Sequence, residues 1–241
     1  MDYSGKSTVE EIRARFDADV ERFSNVEAGQ VAAMDSRLML DLVADICAAI
    51  RPGAEALLDI GCGAGNYSLR LLEALPEVRR ATVMDLSEPM LDRARQRLLT
   101  ARPSLQLETV QADIRDSDLG RERFDFAVGA AVFHHLRGEG EWRMVFRKVH
   151  DALKPGGALW IVDMVEHWHE QTQAAMWARY GAYLAGLRDE AYRDHVFAYI
   201  AKEDTPRPLV WQLDRLREAG FGQVDVIHKN GPFALYGAYK V

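Results

Sequence analysis

The chain has 241 residues, 48% of them hydrophobic and 28% charged, and a formal net charge of −7. This length can bury one large core together with a modest helical cap. An acidic chain without long Lys/Arg runs is not expected to bind nucleic acid broadly. Its two cysteines indicate free thiols of a reducing compartment. Because it shows neither a signal-peptide pattern nor an apolar run of about 18 residues, we expect a cytoplasmic chain with no membrane partner.

Residues 1–55 predict an N-terminal helical cap. Ser7-Thr8-Val9-Glu10 fits a capping box with Ser7 as the cap, and apolar residues then recur at helical spacing. A second helix is expected from about Met34 to Ile50, with a loop over 25–30 between the two helices. Two interpretations stay open. The cap packs against the edge of a sheet, or it forms a lid over a ligand pocket with residues 34–37 facing inward.

Strand and helix patterns alternate from Ala56 onward, which is typical of a doubly wound parallel sheet. Strands are expected at 56–60, 81–85, 105–110, 124–129 and 158–164. Residues 165–205 are too long for a simple crossover and carry their own helical pattern, so they predict a helical insertion. Two last strands, 223–228 and 233–239, are joined by the hairpin turn Lys229-Asn230-Gly231. The predicted fold is therefore α/β: a mostly parallel, seven-stranded sheet over 56–241 with an antiparallel C-terminal hairpin.

The stretch 57–67 reads as a buried strand, a glycine turn and the start of a helix. Gly61 and Gly63 permit a tight turn and a close approach of the backbone to a ligand, and the helix that follows offers free N–H groups. A dinucleotide fingerprint has its third glycine at position 66, which is Asn66 here. Asp59, at the end of the strand, is awkward beside a pyrophosphate and suits a ligand that carries an ammonium group.

The motif Asp59-Ile60-Gly61-Cys62-Gly63-Ala64-Gly65 resembles the first motif of the class I S-adenosylmethionine-dependent methyltransferases, and the resemblance extends over roughly 56–163. It implies a Rossmann-like fold with S-adenosyl-L-methionine as cofactor. Asp85, an acid at the end of the second strand, is well placed to accept both ribose hydroxyls. By resemblance, Asp113 accepts from the adenine amino group while apolar neighbours hold the ring. The predicted cofactor-binding residues are Asp59, Gly61, Cys62, Gly63, Asn66, Asp85, Leu86, Met90, Asp113, Ile114 and Ala130.

Methyl transfer needs alignment, exclusion of water and sometimes a base for the proton of the nucleophile. Histidines follow the fourth and fifth predicted strands, and His135 is the preferred catalytic candidate. The alternative is that His134 and His135 only cap a helix or bond backbone. Asp163, His167 and His169 are further candidate bases. The segment 166–170 could also be interpreted as a metal site. Its two histidines are two residues apart, however, and the sequence identifies no third metal ligand, so no metal is predicted.

The predicted function is methyl transfer to a small-molecule acceptor by direct in-line displacement. The C-terminal pattern is also similar to carboxy-S-adenosylmethionine synthases, although their loop carries Ser where Gly63 stands and Arg193 is the nearest match to their carboxylate-binding arginine. That activity, RNA modification and a binding-only protein are the alternatives, and Asn66 and Asp59 disfavour a nicotinamide oxidoreductase. In the insertion, Trp177 is expected in the core and Tyr180 or Tyr183 in the pocket. A homodimer stays open.

Overall fold

A computed structural model describes residues 3, 5–24 and 31–241, so the predicted loop over 25–30 lies outside the described residues. The strands are β1 (Ala56–Ile60), β2 (Arg80–Asp85), β3 (Gln106–Gln111), β4 (Phe124–Ala130), β5 (Leu153–Glu166), β6 (Arg207–Pro208), β7 (Gln223–Asn230) and β8 (Phe233–Tyr239). Their order in the sheet is β3-β2-β1-β4-β5-β8-β7, and the two-residue β6 pairs with β5. Strands β1 to β5 run parallel, while β8 and β7 pair antiparallel, which confirms the predicted sheet.

The helices cover both faces of the sheet. They are α1 (Val9–Ala18), α2 (Val20–Ser24), α3 (Ser36–Ile50), α4 (Asn66–Ala74), α5 (Glu88–Ala101), a 3₁₀ turn η1 (Phe133–His135), α6 (Glu139–Ala152), α7 (Glu170–Leu187), α8 (Glu190–Glu203) and α9 (Leu209–Glu218). Alternate strand residues separate two cores: Leu57 and Trp160 face the side of α3 and α4, whereas Leu58 and Ile161 face α6 and α9. Among the described helices, none is long and apolar enough to span a membrane.

Several predicted boundaries are wrong by a few residues. The first helix is capped by Thr8 and not by Ser7, because Thr8 and Glu11 exchange the reciprocal bonds of the capping box. Strand β5 starts at Leu153 rather than 158, since Phe124 already pairs with Leu153 across an irregularity in the β4–β5 ladder. The C-terminal hairpin turn is shorter than predicted, because the ladder continues to the pair Asn230–Phe233.

The insertion is a helical pair, α7 and α8, that packs against the end of the sheet. Trp177 of α7 contacts Phe197 of α8 with ring centroids 5.2 Å apart, and Tyr180 meets Phe233 of β8 at 5.2 Å. After α8 the chain returns to η1, where the Thr205 backbone N–H and hydroxyl both donate to the His134 carbonyl, at 2.8 and 3.0 Å. The end of the insertion is thus fixed beside the turn that follows β4.

Candidate functional site

A cavity of about 1190 Å³ opens at the carboxyl ends of β1, β2, β4 and β5. Ligands of open α/β sheets bind at this edge, outside the strand ends and next to the point where strand order reverses. The residues that the sequence predicted for the cofactor site, and the preferred catalytic candidate His135, all line the cavity: Asp59, Gly61, Cys62, Gly63, Asn66, Asp85, Leu86, Met90, Asp113, Ile114, Ala130 and His135. Of the further candidate bases, Asp163 lines it as well, whereas His167 and His169 are not among the lining residues.

The backbone of the glycine turn after β1 faces the cavity. Gly61 has φ 65°, and a Cβ there would stand 2.6 Å from Val132 Cγ2, so a larger residue would clash with the turn after β4. Gly63 has φ 50° and no heavy atom within 4 Å of the position of a Cβ. The turn is anchored by the Cys62 N–H, which donates to the Met84 carbonyl at 2.9 Å. Space for a ligand thus remains directly over Gly63.

Asp59 binds the first turn of α4 from the end of β1. One carboxylate oxygen accepts from both the backbone N–H and the hydroxyl of Ser68, at 3.2 and 2.6 Å. Helix α4 begins after Gly65, which offers no side chain to its free N–H groups, so Asp59 supplies the missing acceptor. Burial raises the pKa of Asp59 to about 6, against the opposing effect of the Ser68 bonds. No cationic side chain among the described residues pairs with this carboxylate, so it suits a ligand ammonium group.

Asp85 connects the glycine turn to the start of α5. Its two carboxylate oxygens accept from the Gly63 N–H at 2.8 Å and from the Ser87 N–H at 2.9 Å. Burial raises the pKa of Asp85, and these backbone bonds oppose the rise. Each oxygen has a further lone pair for a ribose hydroxyl. Sequence reasoning missed that Asp85 also organises the turn.

Asp113 and its apolar neighbours form the far side of the predicted nucleoside site. Arg115 donates two hydrogen bonds to the Asp113 carboxylate, from Nε to Oδ1 at 2.9 Å and from Nη2 to Oδ2 at 2.6 Å. Burial raises the pKa of Asp113, but the Arg115 bonds outweigh it and hold the pKa below its usual range. Met90 and Ile114 are buried, and with Leu86 they present apolar surface to the same space. This combination fits a flat base with an exocyclic amino group.

Asn66 and Ala130 complete the predicted set at the rim of the glycine turn. The Asn66 side-chain oxygen accepts from Arg97 Nη1 at 2.8 Å, which ties α4 to α5. Ala130 ends β4 and precedes Ala131, whose φ of 53° is uncommon for a residue other than glycine. The Ala131 N–H donates to the Val162 carbonyl at 2.8 Å, so neighbouring β5 holds this turn in place.

The turn after β4 carries the two histidines between two carboxylates. Asp163 accepts from the Phe133 N–H at 2.8 Å and closely contacts His134 Nδ1. His134 Nε2 lies 3.4 Å from Asp204 Oδ1, and His135 Nδ1 lies 3.6 Å from the same oxygen. Burial lowers the pKa of His134, yet the charges of Asp163 and Asp204 raise it to about 9. Burial and the adjacent His134 hold the pKa of His135 well below its usual range, although the Glu203 backbone opposes them.

Sequence reasoning missed the residues that close the cavity on its other side. Phe16 and Arg15 come from α1, Tyr199 and Ile200 come from α8, and Asp204 follows α8. The helical stripe of α1 was a visible signal, but nothing in the sequence showed which surface it covers. Of the four residues singled out in the insertion, Tyr180 lines the cavity, whereas Trp177, Tyr183 and Arg193 are not among the residues that line it.

The N-terminal segment is tied to the insertion across the cavity. Arg15 pairs with Glu203 at 2.9 Å and donates to the Tyr199 hydroxyl at 2.9 Å. Lys6 Nζ donates to the Ala201 carbonyl at 2.7 Å. Of the segment 34–37 that was considered as an inward face, Ser36 alone lines the cavity.

The alternative metal interpretation of 166–170 finds no support in the geometry. His167 Nδ1 lies 3.1 Å from Gln173 Oε1 and its Nε2 faces Lys229. His169 is exposed and precedes α7. Among the described residues, the group whose ligand atoms converge is instead His134, His135 and Asp204.

Comparisons with known proteins agree with this geometry. A family model for a methyltransferase domain matches residues 57–157. The carboxy-S-adenosyl-L-methionine synthase of Chromohalobacter salexigens is 31% identical over 207 residues, which cover 84% of this chain and 73% of that protein. An uncharacterized methyltransferase of Mycobacterium tuberculosis is 32% identical over 113 residues, which cover 47% of this chain and 52% of that protein. The chain thus spans about half the length of this relative.

Structural similarity to known methyltransferases extends beyond the residues that the family model matches. Human N-acetylserotonin methyltransferase, solved in complex with S-adenosylmethionine, superposes with a TM-score of 0.61 at 16% identity, covering 98% of this chain and 63% of that one. A doubly wound sheet with a glycine turn and acids at successive strand ends defines an α/β protein that binds an adenosine ligand. The chain belongs to the class I S-adenosylmethionine-dependent methyltransferase family. Family and cofactor are therefore confirmed as the sequence predicted them.

Proposed function

We propose that this chain transfers a methyl group from S-adenosylmethionine to a small-molecule acceptor by direct in-line displacement. One observation carries the proposal: a single cavity joins the glycine turn and the acids of β1 and β2 to the aromatic inner face of the insertion. Its volume of about 1190 Å³ exceeds the roughly 300–1,000 Å³ of a typical small-molecule site, which supports room for a cofactor and an acceptor together.

The cofactor half is assigned to the strand ends. Asp59 would hold the ammonium group, Asp85 the ribose hydroxyls and Asp113 the adenine amino group, while the space over Gly63 admits the ligand close to the backbone. The bound cofactor supplies a sulfonium methyl group that is already activated, and it leaves as a neutral thioether. The protein therefore has to align the two reactants and exclude water.

The acceptor half is assigned to the insertion and α1. Tyr180, Val196 and Ile200 are buried side chains that line the cavity from α7 and α8, and Phe16 lines it from α1. These side chains favour an acceptor with an apolar or aromatic body. The bonds from Arg15 to Glu203 and Tyr199 join α1 to α8 on this side of the cavity.

His135 is assigned as the base that takes the proton of the nucleophile. It lines the cavity, and neither of its ring nitrogens makes a hydrogen bond that meets normal geometry. Because its pKa lies well below the usual range, the imidazole is neutral at pH 7 and one nitrogen has a free lone pair. His134 is less suited to this role, since Asp163 occupies its Nδ1.

The direct test is a screen of phenols, carboxylic acids, amines and thiols for production of S-adenosylhomocysteine. We expect turnover with at least one aromatic acceptor, and a decrease of roughly 10²- to 10⁴-fold in kcat for His135→Gln. The matched control is His169→Gln, an exposed histidine outside the cavity, which should keep full activity. If no acceptor class gives turnover although the cofactor binds, the chain is a binding protein and the proposal fails.

A carboxy-S-adenosylmethionine synthase activity is the second candidate, because the Chromohalobacter salexigens synthase is 31% identical to this chain. The nearest match to a carboxylate-binding arginine, Arg193, pairs with Asp194 at 2.8 Å and is not among the residues that line the cavity. Mass spectrometry of the cofactor after incubation with carboxylate donors decides between the two. A carboxylated cofactor would favour the synthase, and S-adenosylhomocysteine would favour the methyltransferase.

A further inference from the structure

Three side chains at the wall of the cavity bring polar atoms close together, and in two of them, His135 and Asp204, these atoms lack a normal hydrogen bond. His134 and His135 follow β4, and Asp204 follows α8. Among the described residues, Asp204 Oδ1 is buried without a hydrogen-bond partner, and neither ring nitrogen of His135 makes a bond of normal geometry, although the ring lies near the Glu203 backbone. Asp204 is only 4% exposed. A buried polar atom without a partner costs free energy, so a carboxylate oxygen in this position calls for an occupant.

The distances in this histidine–aspartate cluster are those of a coordination site rather than of hydrogen bonds. Asp204 Oδ1 lies 3.4 Å from His134 Nε2 and 3.6 Å from His135 Nδ1. A direct N–H···O hydrogen bond spans about 2.7–3.2 Å. Two ligand atoms held about 2.1 Å from one tetrahedral ion lie about 3.4 Å apart. All three ligand atoms lie within 4.8 Å of one another.

The surroundings of His134 fit a metal ligand. Asp163 contacts Nδ1, so Nε2 is the nitrogen that faces Asp204, and an ion that binds Nε2 would displace the proton from it. A carboxylate that orients a histidine through its other ring nitrogen is the usual outer shell of a metal site. Asp163 is in turn fixed by the backbone N–H groups of Phe133 and Met164, at 2.8 and 2.7 Å.

We propose that His134 Nε2, His135 Nδ1 and Asp204 Oδ1 bind one divalent transition-metal ion of the zinc type. Two imidazoles and one carboxylate suit zinc better than magnesium, which prefers oxygen ligands. All three residues line the cavity, so an ion would reach the cluster from that space. With the ion bound, this inference replaces the base role proposed above for His135: the ion would bind an acceptor oxygen and lower the pKa of its O–H, and the proton would pass to water.

The test is a zinc titration of protein stripped with EDTA, against a chromophoric chelator that competes for the ion. We expect one equivalent of zinc for the intact chain and at least tenfold weaker binding for Asp204→Asn and for His135→Gln. The control His169→Gln should bind as the intact chain does. Cobalt(II) provides a second readout, because a visible spectrum reports nitrogen and oxygen ligation directly. Circular dichroism on each variant confirms folding before binding is compared.

The outcomes separate this site from the proposed function. Zinc binding that is absent, or that is unchanged in both cluster variants, overturns the metal site. Calorimetry with S-adenosylhomocysteine on the same metal-free protein tests the cofactor site independently, because the adenosine residues lie on β1, β2 and the loop after β3. Metal binding without cofactor binding would contradict the proposed function and would still support the metal site.

Discussion

At the scale of the residue, the acids at the strand ends combine a structural bond with a free acceptor. Asp59 bonds Ser68 of α4 and Asp85 bonds Gly63 and Ser87, so each holds a backbone segment beside the cavity that it lines. The sequence predicted that these residues meet, because the carboxyl ends of parallel strands lie on one edge of a sheet. It did not predict their backbone partners, which depend on how the turns fold.

Replacing Asp85 by alanine should weaken S-adenosylhomocysteine binding roughly 10²- to 10⁴-fold. The reason is the loss of charge-assisted bonds of about 1.5–3 kcal/mol each, together with a loosened Gly63 turn. Asp118→Ala is the matched control, because exposed Asp118 accepts from the Gly120 N–H at 2.8 Å outside the cavity. Calorimetry gives both dissociation constants, and an unchanged value for Asp85→Ala would remove this residue from the site.

Asp59 should make the ligand-free protein less stable as the pH rises from about 4 towards 6. Burial raises its pKa from 3.8 to about 6, so the folded chain holds this proton more tightly than the unfolded chain does. The stability is therefore fully present below about pH 4 and falls by about 1.4 kcal/mol per pH unit up to about pH 6, because in this range Asp59 is ionised in the unfolded chain and protonated in the folded chain. Asp59→Asn stays neutral, so its unfolding free energy relative to the native chain should increase over this range.

Urea unfolding of both chains from pH 4 to pH 7 measures this difference. Asp116→Asn, which changes an exposed carboxylate, is the control and should follow the native chain throughout. A constant difference between the Asp59→Asn variant and the native chain would show that Asp59 is not destabilised by burial.

At the scale of the element, the insertion was predictable as helices but not as a wall of the site. Its length and helical pattern gave α7 and α8, yet a pattern does not show where a helix packs. The result is mixed for its aromatic residues: Tyr180 is 1% exposed and lines the cavity, while Tyr183 instead donates to the Val31 carbonyl at 2.7 Å. Asp204 was missed because a single acid after a helix carries no motif.

Trp177 and Tyr180 should separate stability from turnover. Trp177→Leu removes the contact with Phe197 that joins α7 to α8, so we expect a loss of about 1–3 kcal/mol, or roughly 2–4 °C in Tm per kcal/mol. Its affinity for S-adenosylhomocysteine should stay within about twofold. Tyr180→Phe keeps the buried ring and changes the cavity wall, so turnover should decrease while Tm is nearly unchanged. An equal decrease in Tm for both variants would contradict an acceptor role for the insertion.

At the scale of the whole molecule, the N-terminal segment and the insertion meet and together close one side of the cavity. Arg15 of α1 bonds Glu203 and Tyr199 at the end of α8. Both interpretations of the cap were reasonable from sequence, because an amphipathic helix covers a sheet edge and a ligand equally well. We propose that α1 acts as a lid, on the basis of the residues it contributes to the cavity.

Cofactor binding should slow hydrogen exchange in α1 and α8 together. Arg15→Gln removes the ion pair with Glu203, so exchange in α1 should be faster and the protection by S-adenosylhomocysteine smaller. Arg13→Gln, on the exposed face of the same helix, is the matched control. Protection of α8 without any protection of α1 would show that the cap is a structural cover and not a lid.

The central claim is that the strand-end cavity binds an adenosine ligand bearing an ammonium group and no pyrophosphate. Isothermal titration calorimetry of the intact chain with S-adenosylhomocysteine and with NAD, in one buffer, tests it most directly. The account predicts a one-to-one complex with S-adenosylhomocysteine at micromolar affinity, about −8 kcal/mol, and no binding of NAD. Binding of NAD without binding of S-adenosylhomocysteine would contradict it.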